Sequence, residues 1–469
     1  MSGVSNYPHA NRDALKAQYV GRMLQDIDGP AAILDVAVAR QNCQVMLDAA
    51  EALGVLFRSH VKTHKTTELT RFQVGDKADT VRLVVSTLAE AEQLTPYLEE
   101  CKGNGRSIDV IYGLSVQPSC FERLARLGRA LGDRSISVLV DSLDILPSLP
   151  KYRELTGFSL GVFIKLDTGY NRAGIAPDSP QFKKVLDAVH KMEQETNSSD
   201  IHLRGFYSHM GHSYSSDTTA EALDYLAMEI ERCEIAAVQA SALDAYAGNR
   251  RFTIAVGATP TTTSAQNLTG AETASETETR VKQLIQRVQQ SHDIELHAGA
   301  YVVLDMQQLA AHARPGSLHL TFENIALTVL AEVASLYPHR KQPEALIACG
   351  MLAMGREPCR SYHGWGVVTP WQHDGQGEGV AEKLVGWYDP EGDRTGWIID
   401  RLSQEHGILG WMGPRDNFRK LRVGEKVRIW PNHCCICAAG FDYFLVVDSS
   451  REGKERDRII DVWLSWRGW

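Results

Sequence analysis

The run Phe57-Arg58-Ser59-His60-Val61-Lys62-Thr63-His64-Lys65-Thr66 sets a lysine at the end of an apolar segment, between histidines. Desolvation and neighbouring positive charge both favour the neutral amine. Such a lysine is a nucleophile toward an aldehyde, and a base once released. Lys65 is the rival in the same motif; Lys62 is preferred because it directly ends the apolar run 54–61. Two glycine-bearing turns, Gly257-Ala258-Thr259-Pro260-Thr261 and Gly299-Ala300-Tyr301, offer backbone N–H groups of the kind that cradle phosphate. Near the C-terminus, Asn432-His433-Cys434-Cys435-Ile436-Cys437 holds an imidazole and a thiol one residue apart, His433 and Cys435, a pair suited to zinc. Two protein ligands leave coordination positions for water or substrate, so such a metal would be catalytic. Buried thiols beside a satisfied histidine are the alternative. His209-Met210-Gly211-His212 is a second ligand spacing, read as core or substrate-shaping.

These residues need a frame to bring them together. From about residue 30 to 304, short apolar runs (54–61, 81–86, 109–113, 136–140, 161–166, 203–208, 252–256 and 294–297) alternate with segments whose apolar residues recur three or four apart. Thr87/Glu90, Ser119/Glu122 and Thr218/Glu221 read as capping boxes opening three of those helices. Eight strands alternating with helices predict an α/β chain with a (β/α)8 barrel, with a doubly wound open sheet as the competing reading. In a barrel, catalytic groups belong at the C-terminal ends of strands. Lys62 ends the first run, Asp141 the fourth and Asp167-Thr168-Gly169-Tyr170-Asn171-Arg172-Ala173-Gly174 follows the fifth. Tyr207, Ser208 and His209 close the sixth, and the two glycine turns follow the seventh and eighth, where barrels usually bind phosphate.

Residues 261–291, rich in Thr, Ser, Ala and Glu before a polar helix, read as a surface insertion into the barrel. The expected division is an N-terminal segment 1–29 packed on the second domain, a barrel over 30–320, and a mostly antiparallel β domain over 321–469. In the last, strand-like runs are separated by Gly- and Pro-rich turns. A net charge of −9 disfavours non-specific nucleic-acid binding. No apolar stretch is long enough to span a bilayer, and the start lacks the layout of a secretory signal. Nine scattered cysteines fit reduced thiols, so the chain is expected to be cytoplasmic.

The Lys62 motif resembles that of the eukaryotic, zinc-dependent D-serine dehydratases, within the superfamily of the D-threonine aldolases and the alanine racemase N-terminal barrel. The resemblance runs through Lys62, 167–174, Gly205-Phe206-Tyr207-Ser208-His209, 257–261, 299–301 and 431–435. It implies a fold-type-III barrel binding pyridoxal 5'-phosphate, a β domain carrying Zn2+, and a homodimer acting on a small D-amino acid. Lys62 would be the Schiff-base lysine, Arg172 would face the cofactor's phenolic oxygen and Tyr207 its pyridine nitrogen. Gly257, Thr259, Gly299, Ala300 and Tyr301 would surround the phosphate. His-x-Cys marks the dehydratases and His-x-Asp the aldolases, so His433 and Cys435 favour conversion of D-serine to pyruvate and ammonia. In that reading Lys62 removes the Cα proton and zinc assists loss of the β-hydroxyl. The alternatives are a D-threonine aldolase or other D-3-hydroxyamino acid lyase, and a non-catalytic pyridoxal-phosphate homeostasis protein. Ser59 stands where that family commonly has proline.

Overall fold

The computed structural model describes residues 10–195, 200–243, 250–270, 274–314, 320–371 and 387–469. Its centre is a closed parallel barrel of eight strands: β2 (Leu56–His60), β3 (Thr80–Val85), β4 (Ser107–Ser115), β5 (Ile136–Val140), β6 (Leu160–Lys165), β7 (Ile201–Tyr207), β8 (Thr253–Val256) and β9 (Asp293–Ala298). β2 pairs in parallel with β9, which closes the ring. The eight apolar runs in the sequence are these eight strands, and the doubly wound alternative falls away.

Because successive strand residues face opposite sides, residues two apart share the barrel lumen. The lumen is layered accordingly. Its middle is an apolar plug of Val84, Ile111, Leu139, Phe163 and Ala255, with Tyr207 joining it. Below, toward the strand N-termini, Arg58 lies between Asp109 and Glu295. Above, two residues on from Arg58 and Glu295, come His60 and His297. Lys165 occupies the same upper level at the end of β6.

Helices cover the outside. Leu88–Gly103 is capped by Thr87, whose hydroxyl accepts from the Glu90 N–H, while the Glu90 carboxylate accepts from the Ser86 N–H. Thr218 and Glu221 open Thr219–Ser241 in the same way. Ser119/Glu122 does not form a box. Residues Pro118–Cys120 make a 3-10 turn running straight into Phe121–Leu131, which leaves no extended N-cap position for Ser119 to occupy.

The reading of 261–291 as a surface insertion is overturned for the described part. Thr259–Ser264 is a short helix buried at every residue, and Glu276–Gln289 buries Val281, Leu284, Ile285 and Val288 against the barrel as its ordinary covering helix. The small hydroxylated residues that looked like a solvated loop pack tightly because their hydroxyls bond back to the chain, as Thr262 does to the His297 carbonyl (3.0 Å). Residues 271–273 lie outside the described residues.

β1 (Ala31–Asp35) is buried along its whole length and is not part of the barrel. It pairs antiparallel with β10 (Leu327–Tyr337) and parallel with β16 (Tyr443–Val447), inside the second domain's sheet. The other strands there are β11 (Glu344–Ile347), β12 (Gly366–Val368), β13 (Gly396–Leu402), β14 (Gly407–Met412), β15 (Lys426–Pro431) and β17 (Asp461–Leu464). The sequence reading lacked β12, only three residues long, β13, and β14, which is interrupted by glycine. β10 pairs with both β15 and β11, so the order β11-β14-β13-β12-β15-β10 returns on itself, with β1, β16 and β17 extending it. The described chain thus runs from β1 in the second domain through the helix Val36–Leu53 into the barrel and returns to that domain at β10, which ties the two units twice.

Close strand approach makes one glycine testable. A Cβ on Gly205 would lie 1.9 Å from the Thr253 carbonyl oxygen on β8. Backbone on the neighbouring strand cannot step aside, so Gly205→Ala should destabilise by about 3 kcal/mol or more, readable as a lower Tm. No described helix is long and apolar enough to cross a membrane.

Candidate active site at the barrel mouth

β2 ends at His60, and the chain passes through Val61 into the turn that carries Lys62. The Lys62 N–H is directed at His60 Nδ1 (3.4 Å). Its side chain is near enough to act on His60, His209, His297 and Cys435 alike, so it faces the middle of the barrel mouth. Lys65 does something else. It takes a left-handed backbone conformation (φ 51°) and its Nζ lies 3.2 Å from the carboxylate of Glu90, a side chain only 1% exposed. Burial raises the Glu90 carboxyl and Lys65 opposes that rise, so Lys65 neutralises an outer helix and does not reach the lumen.

The upper lumen is crowded with aromatic nitrogen and phenol. Tyr207 stacks on His297 with ring centroids 4.3 Å apart at 10°, and the Lys165 ammonium sits 4.5 Å over the same tyrosine ring. Burial pushes Lys165 down to about 8, and Arg172 adds to the fall. Burial, reinforced by Lys62, Lys165 and Arg172, drives His60, His209 and His297 well below the usual histidine value, so all three are neutral. Burial also keeps the Tyr207 phenol protonated by raising its pKa. His209 donates Nδ1–H to the Gly257 carbonyl at 2.9 Å. Neither ring nitrogen of His297 has a well-formed hydrogen bond, although both are buried. Glu229, buried beneath Ser208 and the Gly257 N–H, is raised by burial to about 7. Lys165, His60, His297 and Glu229 were not singled out in the sequence. For His60 and His297 the signal was there, in the two-residue period of strands whose ends had been located.

Both glycine turns stand at this mouth. Gly257 has φ +145°, and a Cβ there would lie 2.3 Å from the His297 carbonyl; one on Gly299 would lie 3.1 Å from the His60 carbonyl and 3.3 Å from Thr63 Oγ1. Thr259 is buried at the start of the helix after the first turn, and the neighbouring Thr263 hydroxyl is buried with no partner. Ala300 and Tyr301 begin the 3-10 turn Ala300–Val302. The Tyr301 ring turns away from the mouth and packs edge-on against Phe57 (5.5 Å), so only its backbone borders the turn. Arg172 is exposed at the rim, its guanidinium 5.6 Å from the Tyr170 ring centroid. These donors and unpaired buried groups fit a phosphorylated aldehyde cofactor. The turns would meet its phosphate, and Lys62, Tyr207 and Arg172 would border the space beyond.

The second domain delivers His433 and Cys435 to the same place. The Asp305 carboxylate accepts from the Cys434 N–H (2.8 Å) and so fixes the start of the helix Cys434–Ala439. Cys435 Sγ then lies 3.2 Å from Thr63 Oγ1, one residue from Lys62. Its thiol is held well below the usual range, by the Cys434 contact first and then by His433. Burial opposes charge on His433, yet the Cys435 thiolate outweighs it and brings the imidazole to about 9. His433 Nδ1 is buried without a hydrogen bond, 3.9 Å from the Glu357 carboxylate. A thiolate beside an imidazole whose Nδ1 has no hydrogen-bond partner suits a divalent ion, which would take the place of the imidazole's proton. No group of three or more metal-ligating side chains occurs among the described residues, so such an ion would keep open positions. His209 and His212 do not form the second ligand pair: one ring bonds the Gly257 carbonyl and the other stacks edge-on against Tyr225.

Comparison places this arrangement in a class. Residues 34–317 match the alanine racemase N-terminal domain family, and residues 326–447 match the family described as "Putative serine dehydratase domain". Among solved structures, the D-threo-3-hydroxyaspartate dehydratase of Delftia sp. superposes over 95% of this chain and 100% of its own, with a TM-score of 0.69 at 25% identity. That enzyme has also been solved as a cysteine-to-alanine variant in a metal-free form. Fold and site together define an alanine racemase-like barrel enzyme with a β domain. The D-serine dehydratase of Schizosaccharomyces pombe is 33% identical over 99% of this chain and 97% of its own length. That of Saccharomyces cerevisiae is 31% identical over 97% and 99%. The chain belongs to this D-serine dehydratase family and is a carbon–oxygen lyase.

Proposed function

We propose that the protein dehydrates D-serine to pyruvate and ammonia, with pyridoxal 5'-phosphate held on Lys62 and Zn2+ on His433 and Cys435. The observation that carries this is the Thr63–Cys435 contact, which sets a lysine able to move a Cα proton beside a ligand pair able to hold a metal. When bound, the cofactor supplies an electron sink for the Cα carbanion, and the metal supplies a Lewis acid for the departing hydroxyl. The chain's own residues account for the rest. Lys62 moves the proton between Cα and solvent. Tyr207, neutral and packed between His297 and Lys165, can donate a hydrogen bond but cannot leave a ring nitrogen protonated as a carboxylate would. A weaker sink makes help at the leaving group more important, and the second domain brings that help.

The test is to supply D-serine, L-serine, D-threonine and D-threo-3-hydroxyaspartate to cofactor-loaded, zinc-replete protein and identify the products. Pyruvate from D-serine alone, or from D-serine foremost, is the expected result. Glycine and an aldehyde from D-threonine would establish an aldolase instead, and oxaloacetate as the main product would move the substrate to the Delftia relative's. Chelation is expected to lower pyruvate formation by ~10²-fold or more while the cofactor's absorption stays, and zinc should restore it. Loss of the absorption together with activity would mean a structural metal.

A further inference from the structure

The opposite end of the barrel carries a feature that this chemistry leaves unused. A cleft of about 720 Å3 opens at the strand N-termini, bordered by the first residues of β3, β4 and β7 and by the turn before β5. Five cationic side chains line it: Arg82, Lys102, Arg106, Arg134 and Arg204, against only the carboxylates of Asp109 and Asp133. This in a chain with net charge −9 is a strong local inversion.

The two interior carboxylates do not balance these cations, because they are already engaged. Arg58, fully buried, spans both Glu295 (2.6 Å) and Asp109 (2.8 Å). Arg204 reaches the same Asp109 oxygen at 2.6 Å, and Arg82 approaches Glu295 only to 3.7 Å. Three guanidiniums therefore share two carboxylates. Arg106 has no carboxylate partner among the described residues. It donates to the Ala78 and Gly75 carbonyls (2.8 and 2.9 Å), and its Nη2 is buried without a hydrogen bond. Lys102 forms no ion pair among the described residues, and Arg134 has only its neighbour Asp133 at 3.8 Å. Arg134 also sits at φ +59°, where glycine or asparagine is more comfortable. A surplus of converging guanidiniums is the signature of an oxyanion site. Apart from His202, no aromatic side chain lines the cleft to stack on a base, so recognition would rest on charge.

We propose that this cleft binds a small multivalent phosphate anion of the pyrophosphate class, independently of the site at the barrel mouth. One phosphoryl group would meet Arg82 and Arg204 at the floor, and the next would meet Lys102, Arg106 and Arg134 at the rim.

The probe is pyrophosphate, titrated calorimetrically into cofactor-loaded protein so that the turns at Gly257 and Gly299 are already filled. Saturable binding of one pyrophosphate per chain is expected, weakening as salt rises, with orthophosphate at least about tenfold weaker. Lys102→Ala combined with Arg134→Gly should weaken pyrophosphate by about tenfold or more. The variant should keep its Tm, since glycine relaxes the backbone at 134, and should keep its D-serine turnover. No saturation at millimolar pyrophosphate, equal affinity for orthophosphate, or unchanged affinity in the double variant would each overturn the proposal. Because the readout is binding, it stands or falls separately from the dehydratase reading.

Discussion

Lys62→Ala is expected to lower pyruvate formation from D-serine by on the order of 10⁴-fold, with loss of the absorption band of lysine-bound cofactor. Two functions disappear at once, the covalent anchor and the base, whereas most active-site substitutions remove one. Lys65→Ala is the paired control. Lys65 holds a buried carboxylate, Glu90, and its loss leaves that group unpaired at a cost of about 1–3 kcal/mol. Lys65→Ala should therefore lower Tm while keeping kcat within a few-fold of the parent. An added small primary amine should partly restore Lys62→Ala if the missing group is a base. If Lys65→Ala abolished turnover and Lys62→Ala did not, the assignment within the motif would be reversed.

The largest effect on stability is expected at Arg58→Met. Arg58 is wholly buried and makes charged hydrogen bonds to Glu295 (2.6 and 3.0 Å) and Asp109 (2.8 Å), with further bonds to the Asp109 and Leu83 carbonyls. Methionine fills the volume but leaves two buried carboxylates short of a partner, a loss of about 3–5 kcal/mol. The sign of its pH dependence follows from Asp109. Burial alone would raise that carboxyl, but Arg58 and Arg204 outweigh it and hold it well below the usual carboxylate range. A depressed folded pKa contributes stability that is present above the unfolded pKa of about 4 and is lost as pH falls toward the folded value. Removing Arg58 removes much of that contribution. The gap in Tm between parent and variant should therefore be full near pH 7 and narrow below about pH 4. A gap that widened on acidification would contradict this account.

How much of the site could be read from the chain depends on how far apart its parts lie. The barrel strands were legible because a lumen strand is marked by a local apolar run, and Lys62 was legible because it ends one. The His433–Cys435 spacing was equally local. Other features misled because burial is not a local property. Residues 261–264 read as the start of a hydroxyl-rich surface insertion, yet they belong to a short helix buried at every residue. β1 falls within the 30–320 range read as the barrel domain, since its sequence does not say that it will pair with β10 and β16 in the second domain's sheet.

By itself, then, the sequence determined the barrel, and it marked Lys62, the two glycine turns and the His433–Cys435 pair as candidates, all features carried by contiguous residues. Tertiary structure decided which lysine faces the lumen, because Glu90 captures Lys65 from another helix. It also decided that Cys435, more than 370 residues beyond Lys62, meets the lysine loop through Thr63. It gathered Arg82 and Arg204 from two strands, Lys102 from the end of a helix, and Arg106 and Arg134 from the turns before β4 and β5 into one cleft. Charge and contact depend on distance in space, and only the closing of the barrel and the return of the second domain onto it set those distances.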